Sequence, residues 1–253
     1  MSAPQSRAFG FFFVGNSLIY RNNLPAVFDA LAAANGRSVH SDMIVRGGAS
    51  LADWYAEGVV GRAMAVTRYD VLVLQERGGL LAGGFGETAQ IGSNIAMRSL
   101  STLARNSGAE PLLLGTYQQV PEVSRWQPYL ERRAASEAGL DNIPVSEQLQ
   151  AGMRIAPRGE WIAEDEQHPG ADLTLLDAVL VYRKVFGEWP EATAFRVDAP
   201  MFARSGEFMP PSPVSLPVKA SEAGDGHDYS SEVLGWVLEA ASHESNGEPP
   251  EPL

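Results

Sequence analysis

There is no cysteine in the 253 residues. That absence excludes disulfides, thiolate nucleophiles and cysteine-ligated metals, although it does not identify a compartment. Histidine is scarce as well, four in all, which leaves few ligands for a metal centre. Basic residues are outnumbered, 19 Lys and Arg against 31 Asp and Glu, for a formal net charge of −12. A surface that tracks phosphates needs Lys and Arg to neutralise them, so nucleic acid is set aside as a partner. Long apolar runs are missing too. After the polar segment 1–7 the first run ends at Val14, too short for a membrane span and without the small-residue cleavage site of a signal peptide. The expectation is a soluble cytoplasmic protein, unless the chain is the trimmed form of an exported one. No internal repeat is visible.

What is present is an ordinary globular composition, 45% hydrophobic and 20% charged, in a chain long enough to bury a sizeable core as one domain. Apolar runs at 9–14, 37–45, 69–75, 110–117 and 142–146 read as five strands. Helical patterns fall at 24–35, 87–107, 122–140 and 173–187; Gly36 suits the left-handed position after the first of them. Strands that are apolar throughout and alternate with helices mark a parallel sheet covered on both faces. The predicted fold is therefore α/β, a three-layer α/β/α sandwich around a five-stranded parallel sheet, whose ligands bind beyond the carboxyl ends of the strands.

The expected organisation is a main domain over 1–187 and an extension over 188–244 packed on the same domain. Within that extension, 230–244 reads as a helix with Val233, Leu234, Val237 and Leu238 on its apolar face. Residues 245–253 read as a disordered tail. From Lys219 onward there are eight acidic residues and one basic one, which suits a solvated surface.

Three polar clusters fall at strand ends. Gly15-Asn16-Ser17 follows the first strand and places a hydroxyl at its rim, although such tripeptides also serve as plain turns or N-caps. Gly47-Gly48 follows the second strand, where glycine allows a close backbone approach and exposes an N–H; a tight connection to a helix is the alternative. Asp165 and His168, three residues apart, precede the last core helix. From one turn they can face one cleft, the carboxylate fixing the tautomer of the imidazole. A helix cap or half a metal site has the same spacing. His40, His227 and His243 lack such a setting.

The order and spacing of these clusters over 9–187 resemble the SGNH (GDSL-like) hydrolase superfamily. The resemblance implies Ser17 as nucleophile, His168 as base and Asp165 as the acid that orients it. Asn16 stands where the family usually has Asp, and the glycine of the second block falls on Gly48 or, as the alternative, Gly47. One block departs from the pattern. The family commonly carries Gly-x-Asn-Asp after the third strand, where this chain has Gln75-Glu76, similar to an SGNH-like subgroup. Gln75 is the expected substitute donor to the oxyanion, with Arg77 or an N–H at Gly78 or Gly79 as alternatives; Glu76 is expected in a structural pair.

Tyr117, Gln118 and Gln119, at the end of the fourth strand, fall on the same rim, and Gln119 joins Gly48, Gln75 and Asn16 in the expected oxyanion and substrate-binding set. Trp54, Trp126 and Trp161 fall near rim loops, where packing is the expected role rather than stacking on a sugar.

The function implied is a serine esterase that cleaves an acetyl or short acyl ester of a carbohydrate or small alcohol, with no metal or organic cofactor. A homodimer is compatible with the sequence. The rivals are a catalytically silent binding module on the same fold, motivated by the missing Asn, and a metal-dependent hydrolase built on Asp165, His168 and loop carboxylates.

Overall fold

The computed structural model describes residues 7–117, 121–202, 218–219 and 226–243. In chain order the elements begin β1 (Phe9–Gly15), α1 (Ser17–Tyr20), a 3-10 turn (Arg21–Asn23), α2 (Leu24–Ala34), β2 (Val39–Val45), α3 (Leu51–Glu57), α4 (Val59–Val66) and β3 (Val71–Gln75). They continue α5 (Glu87–Asn106), β4 (Glu110–Leu114), α6 (Pro121–Ala138), β5 (Asp141–Ile143), α7 (Ser146–Ile155) and α8 (Ala171–Phe186). The last are β6 (Phe195–Val197), β7 (Val218–Lys219), β8 (His227–Tyr229) and α9 (Ser231–Ala241).

Five parallel strands lie side by side in the order β2-β1-β3-β4-β5, as the alternation of apolar runs and helices predicts. The two-residue β7 adds an antiparallel sixth strand beside β2, and β6 pairs with β8 apart from the main sheet. In this strand order the chain leaves β1 towards β2 and then returns to build the other half from β3. The carboxyl ends around β1 and β3 are thus the switch point where ligands of such sheets bind.

The triple phenylalanine of β1 follows from its central position. Side chains alternate across a strand, so Phe11 and Phe13 enter the layer formed with α2, α7, α8 and α9. Phe12 and Val14 enter the opposite layer with α3 to α6. All four are fully buried. Leu234, Val237, Ala240 and Ala241 of α9 are buried in the first layer, while Val233 and Leu238 are only partly covered. The tail 245–253 lies outside the described residues. None of the described helices is long and apolar enough to cross a membrane.

Several boundaries differ from the sequence pattern. Residues 46–68 hold two helices, where the sequence reading offered a tight connection to a helix only as an alternative and gave it no bounds. Ser50 starts α3 through a reciprocal cap with Asp53, and left-handed Gly58 (φ 65°) separates it from α4. The segment after β5 turns at once into α7, so that Ser146, placed in a strand by its apolar neighbours, opens a helix instead. β4 stops at Leu114: Gly115 still donates to the Ile143 carbonyl of β5 at 2.8 Å, and Thr116 then turns away to meet Glu131 of α6.

Candidate active site

β1 ends where its backbone touches β3. A Cβ on Gly15 would stand 2.9 Å from the Gln75 carbonyl oxygen and 2.7 Å from Ile19 Cδ1, so only glycine brings the chain this close. The buried Trp54 indole N–H donates to the Gly15 carbonyl at 2.8 Å. Asn16 is extended (φ −143°) and caps α1, its Oδ1 accepting the Leu18 N–H at 3.1 Å. Ser17 then stands as the first helical residue, half-buried. N–H groups in this first turn have no intrahelical acceptor, and the Ser17 N–H donates to no group among the described residues.

The loop after β2 is tied to this turn, since the Asn16 amide donates to the Ala49 carbonyl at 3.1 Å. One residue before Ala49, Gly48 is exposed and left-handed (φ 69°), and a Cβ there would meet nothing within 4 Å. Its N–H also donates to no described group. Gly47 has an ordinary φ and lies against the Tyr20 hydroxyl.

Asp165 and His168 belong to a tight loop closed by pairing of Ile162 with Pro169 and by the Ala163 N–H donating to the His168 carbonyl at 2.9 Å. The Asp165 side chain organises this loop by a local turn of the kind Asp favours. Its Oδ1 accepts the N–H groups of Gln167 and His168 at 3.1 and 3.0 Å, and its Oδ2 lies 2.7 Å from His168 Nδ1. On the far side of the ring, His168 Nε2 is 2.9 Å from Ser17 Oγ, across 151 residues of sequence. Arg21 Nη1 also reaches Asp165 Oδ2, at 2.8 Å. Desolvation opposes ionisation of Asp165, but these N–H groups and the imidazole outweigh it and hold the carboxyl down to about 2. The acid is therefore a carboxylate throughout the neutral range.

Neighbouring groups hold this loop in place. Asn22, left-handed (φ 56°), donates to the Pro169 carbonyl at 2.8 Å and reaches Thr174 Oγ1. Tyr117 is buried and donates to the Gln167 carbonyl at 3.0 Å. Burial, then the charges of Asp177 and Asp165, push its phenol well above the usual range, so it stays a donor. Among the described residues no group of three His, Asp or Glu side chains is disposed to hold a metal ion.

The structure thus brings together Ser17, His168 and Asp165, and sets Asn16 and Gly48 beside them. Gln75, expected as a substitute oxyanion donor, is buried and gives one amide N–H to the Gly115 carbonyl at 3.1 Å. Its Oε1 accepts nothing among the described residues. Asn16 uses both ends of its amide to join two loops. Gln118 and Gln119 lie outside the described residues.

Glu76 does make a structural pair and extends it: its buried carboxylate accepts the N–H groups of Leu51 and Arg77 and the Ser93 hydroxyl. Desolvation raises its carboxyl, against those donors. Trp54 and Trp161 are core residues, and Trp126 is half-buried. Sequence reasoning passed over Arg21 and Asn22. The signal available was Arg-Asn-Asn four residues after Ser17, a cation followed by two residues that tolerate left-handed backbone.

No protein-family model matches the chain, and no curated protein matches it. Solved structures do. A protein from Slackia heliotrinireducens, proposed to be an SGNH hydrolase, superposes with a TM-score of 0.55 at 23% identity, covering 69% of this chain and 97% of that one. Axe2, an acetylxylan esterase from Geobacillus stearothermophilus, gives 0.52 at 14% identity over 72% of this chain and 96% of its own. TesA gives 0.52 at 19% identity over 69% and 98%. At such identities the likeness is one of architecture, and it agrees with the central parallel five-stranded sheet flanked by helices. This chain has the fold of the SGNH hydrolases.

Proposed function

We propose that this protein is a serine esterase that hydrolyses an acetyl or short acyl ester of a carbohydrate or small alcohol. The observation that carries the reading is the unbroken chain from Ser17 Oγ through His168 Nε2 and Nδ1 to Asp165 Oδ2, at 2.9 and 2.7 Å. In this mechanism Ser17 Oγ attacks the ester carbonyl while His168 Nε2 accepts its proton. Asp165 fixes the tautomer with Nδ1–H pointing towards it and stabilises the imidazolium. The carbonyl oxygen becomes an oxyanion, held by the N–H groups of Ser17 and Gly48. The amide proton of Gln75 not given to Gly115 is the third donor of the proposal.

When the tetrahedral intermediate collapses, the carbon–oxygen bond to the alcohol breaks and His168 returns the proton to the leaving oxygen. Water, deprotonated by His168, then attacks the acyl-Ser17 ester and releases the acid. The acetylxylan esterase activity named for Axe2 supports the choice of a small acyl group on a carbohydrate.

The test is hydrolysis of p-nitrophenyl acetate by wild type and Ser17→Ala, with fluorophosphonate labelling of the serine. The reading expects labelling of Ser17, a fall in kcat of about 10⁴-fold or more in the variant, and loss of rate at acid pH as the imidazole takes up a proton. Equal background rates in both proteins, with no labelling, would instead identify a binding module on the same fold.

A further inference from the structure

Asp165 carries more donors than an acid that only orients a histidine requires. Its Oδ1 takes two backbone N–H groups, while its Oδ2 faces both His168 Nδ1 at 2.7 Å and Arg21 Nη1 at 2.8 Å. One carboxylate oxygen is thus shared between an imidazole and a guanidinium. Arg21 is delivered by the 3-10 turn that directly follows α1, so the short segment 17–22 supplies the nucleophile, the cation and the Asn22 contact to Pro169. All three grip the loop that holds the acid and base.

We propose that Arg21 is a positioning residue of the catalytic site, which locks Asp165 against the Ser17 segment and limits how strongly Asp165 stabilises a cationic His168. The inference rests on the esterase reading. A carboxylate that already pairs with a guanidinium has less of its field left for a second cation, and the guanidinium repels the imidazolium directly. Both effects disfavour the protonated ring and keep His168 available as a base at lower pH. The side chains of Arg21 and Asp165 are 23% and 35% exposed, so solvent screens part of the effect.

The other charged and titratable groups around the pair act differently. Tyr117 is a neutral phenol engaged with Gln167. Asp177 is buried, with burial and the charge of Glu131 raising its carboxyl. Glu160 and Glu164 share with Arg21 a cavity of about 340 Å³, and Glu166 lies in the turn of the loop itself. The carboxylate hydrogen-bonded to the ring is that of Asp165, and Arg21 is the cation paired with it.

The experiment compares wild type, Arg21→Gln, Arg21→Met and Arg21→Lys. It records kcat and KM for p-nitrophenyl acetate from pH 4.5 to 9, and the nitrogen-15 NMR titration of the His168 ring, assigned with His168→Gln. In Arg21→Gln and Arg21→Met the acid limb of kcat/KM and the ring titration both move up, by about half to one pH unit. The plateau kcat falls several-fold with KM little changed, and Arg21→Lys restores the wild-type limb.

Arg21→Met keeps the apolar stem and serves if the Gln variant folds poorly. Folded Gln or Met variants with wild-type limb and ring titration would overturn the proposal. So would a shift to lower pH. The NMR titration needs no turnover, so an inactive wild type would count against the esterase reading while Arg21 is still tested.

Discussion

Replacing Glu131 by Gln should flatten the dependence of stability on pH. Glu131 projects from α6 beneath the end of β4. Its Oε1 accepts the Thr116 N–H and hydroxyl at 2.7 and 2.8 Å and the Gln127 amide at 2.7 Å, while its Oε2 has no donor among the described residues. Complete burial raises the carboxyl from its ordinary 4.5 to about 7, against the pull of those hydrogen bonds. The folded state therefore binds this proton more tightly than the unfolded chain. The resulting stabilisation is fully present below pH 4.5 and is lost as pH rises through about 7.

At about 1.4 kcal/mol per pH unit, this shift amounts to about 3 kcal/mol, of which about 2 disappears between pH 5.5 and 8. Asp29, raised by burial to about 6, and Asp177 contribute with the same sign and remain in the variant. Urea unfolding at pH 5.5, 7 and 8, followed by tryptophan fluorescence, gives the slope directly. Wild type should lose markedly more stability than Glu131→Gln over this interval, a difference of roughly 1 M in midpoint. Equal slopes in the two proteins would mean that Glu131 is already charged when folded, and would refute the reasoning.

Trp54→Phe removes the indole donor to the Gly15 carbonyl and should cost about 1–3 kcal/mol in urea unfolding, the penalty of taking one partner from a buried hydrogen bond. Gly170→Ala would put a Cβ 2.0 Å from the Glu160 carbonyl oxygen, so both thermal stability and esterase rate should drop. Gly187→Ala, at a left-handed position with open space around it, should cost only about 1 kcal/mol and leave the rate intact. Asp165→Asn should lower kcat about 10⁴-fold by releasing the tautomer of His168. Because the Asp165 carboxyl is held down to about 2, its stabilisation is present above about pH 4 and lost as pH falls through 2. Acid unfolding followed by circular dichroism should show that loss in wild type and not in Asp165→Asn.

The parts legible in the sequence are those set by local pattern. The run Phe11 to Val14 reads as a strand buried on both faces because alternate residues enter two different layers. Asp165 and His168 meet through a turn of three residues, so their spacing suffices to pair them. Ser17 and His168, by contrast, are joined across the fold; only the order of blocks along the chain suggested that they meet.

α3 and α4 were hidden because Gly58 and Gly61 interrupt the apolar periodicity, although Ser50 and Asp53 carry a helix-start signature. The contact of Gln75 with Gly115 spans β3 and β4 at their ends, and nothing in the linear chain specifies it. Arg21 was missed for a related reason: two consecutive left-handed residues, Asn22 and Asn23, re-aim the chain just after it.

The buried Glu76 carboxylate joins the start of α3, the exit of β3 and, through Ser93, the middle of α5. Together with the tie from Asn16 to Ala49, it makes the rim a braced frame in which no single crossing can be redrawn alone. The stretch 77–86 is held differently, by the Gln90 amide on the Leu81 carbonyl and by the Arg77 guanidinium lying 3.8 Å above the half-exposed Phe85 ring. Variation that spares the frame therefore belongs at the exposed tip 83–86, because Leu80 and Leu81 before it are buried in the core. A change at Glu76 would move three walls at once.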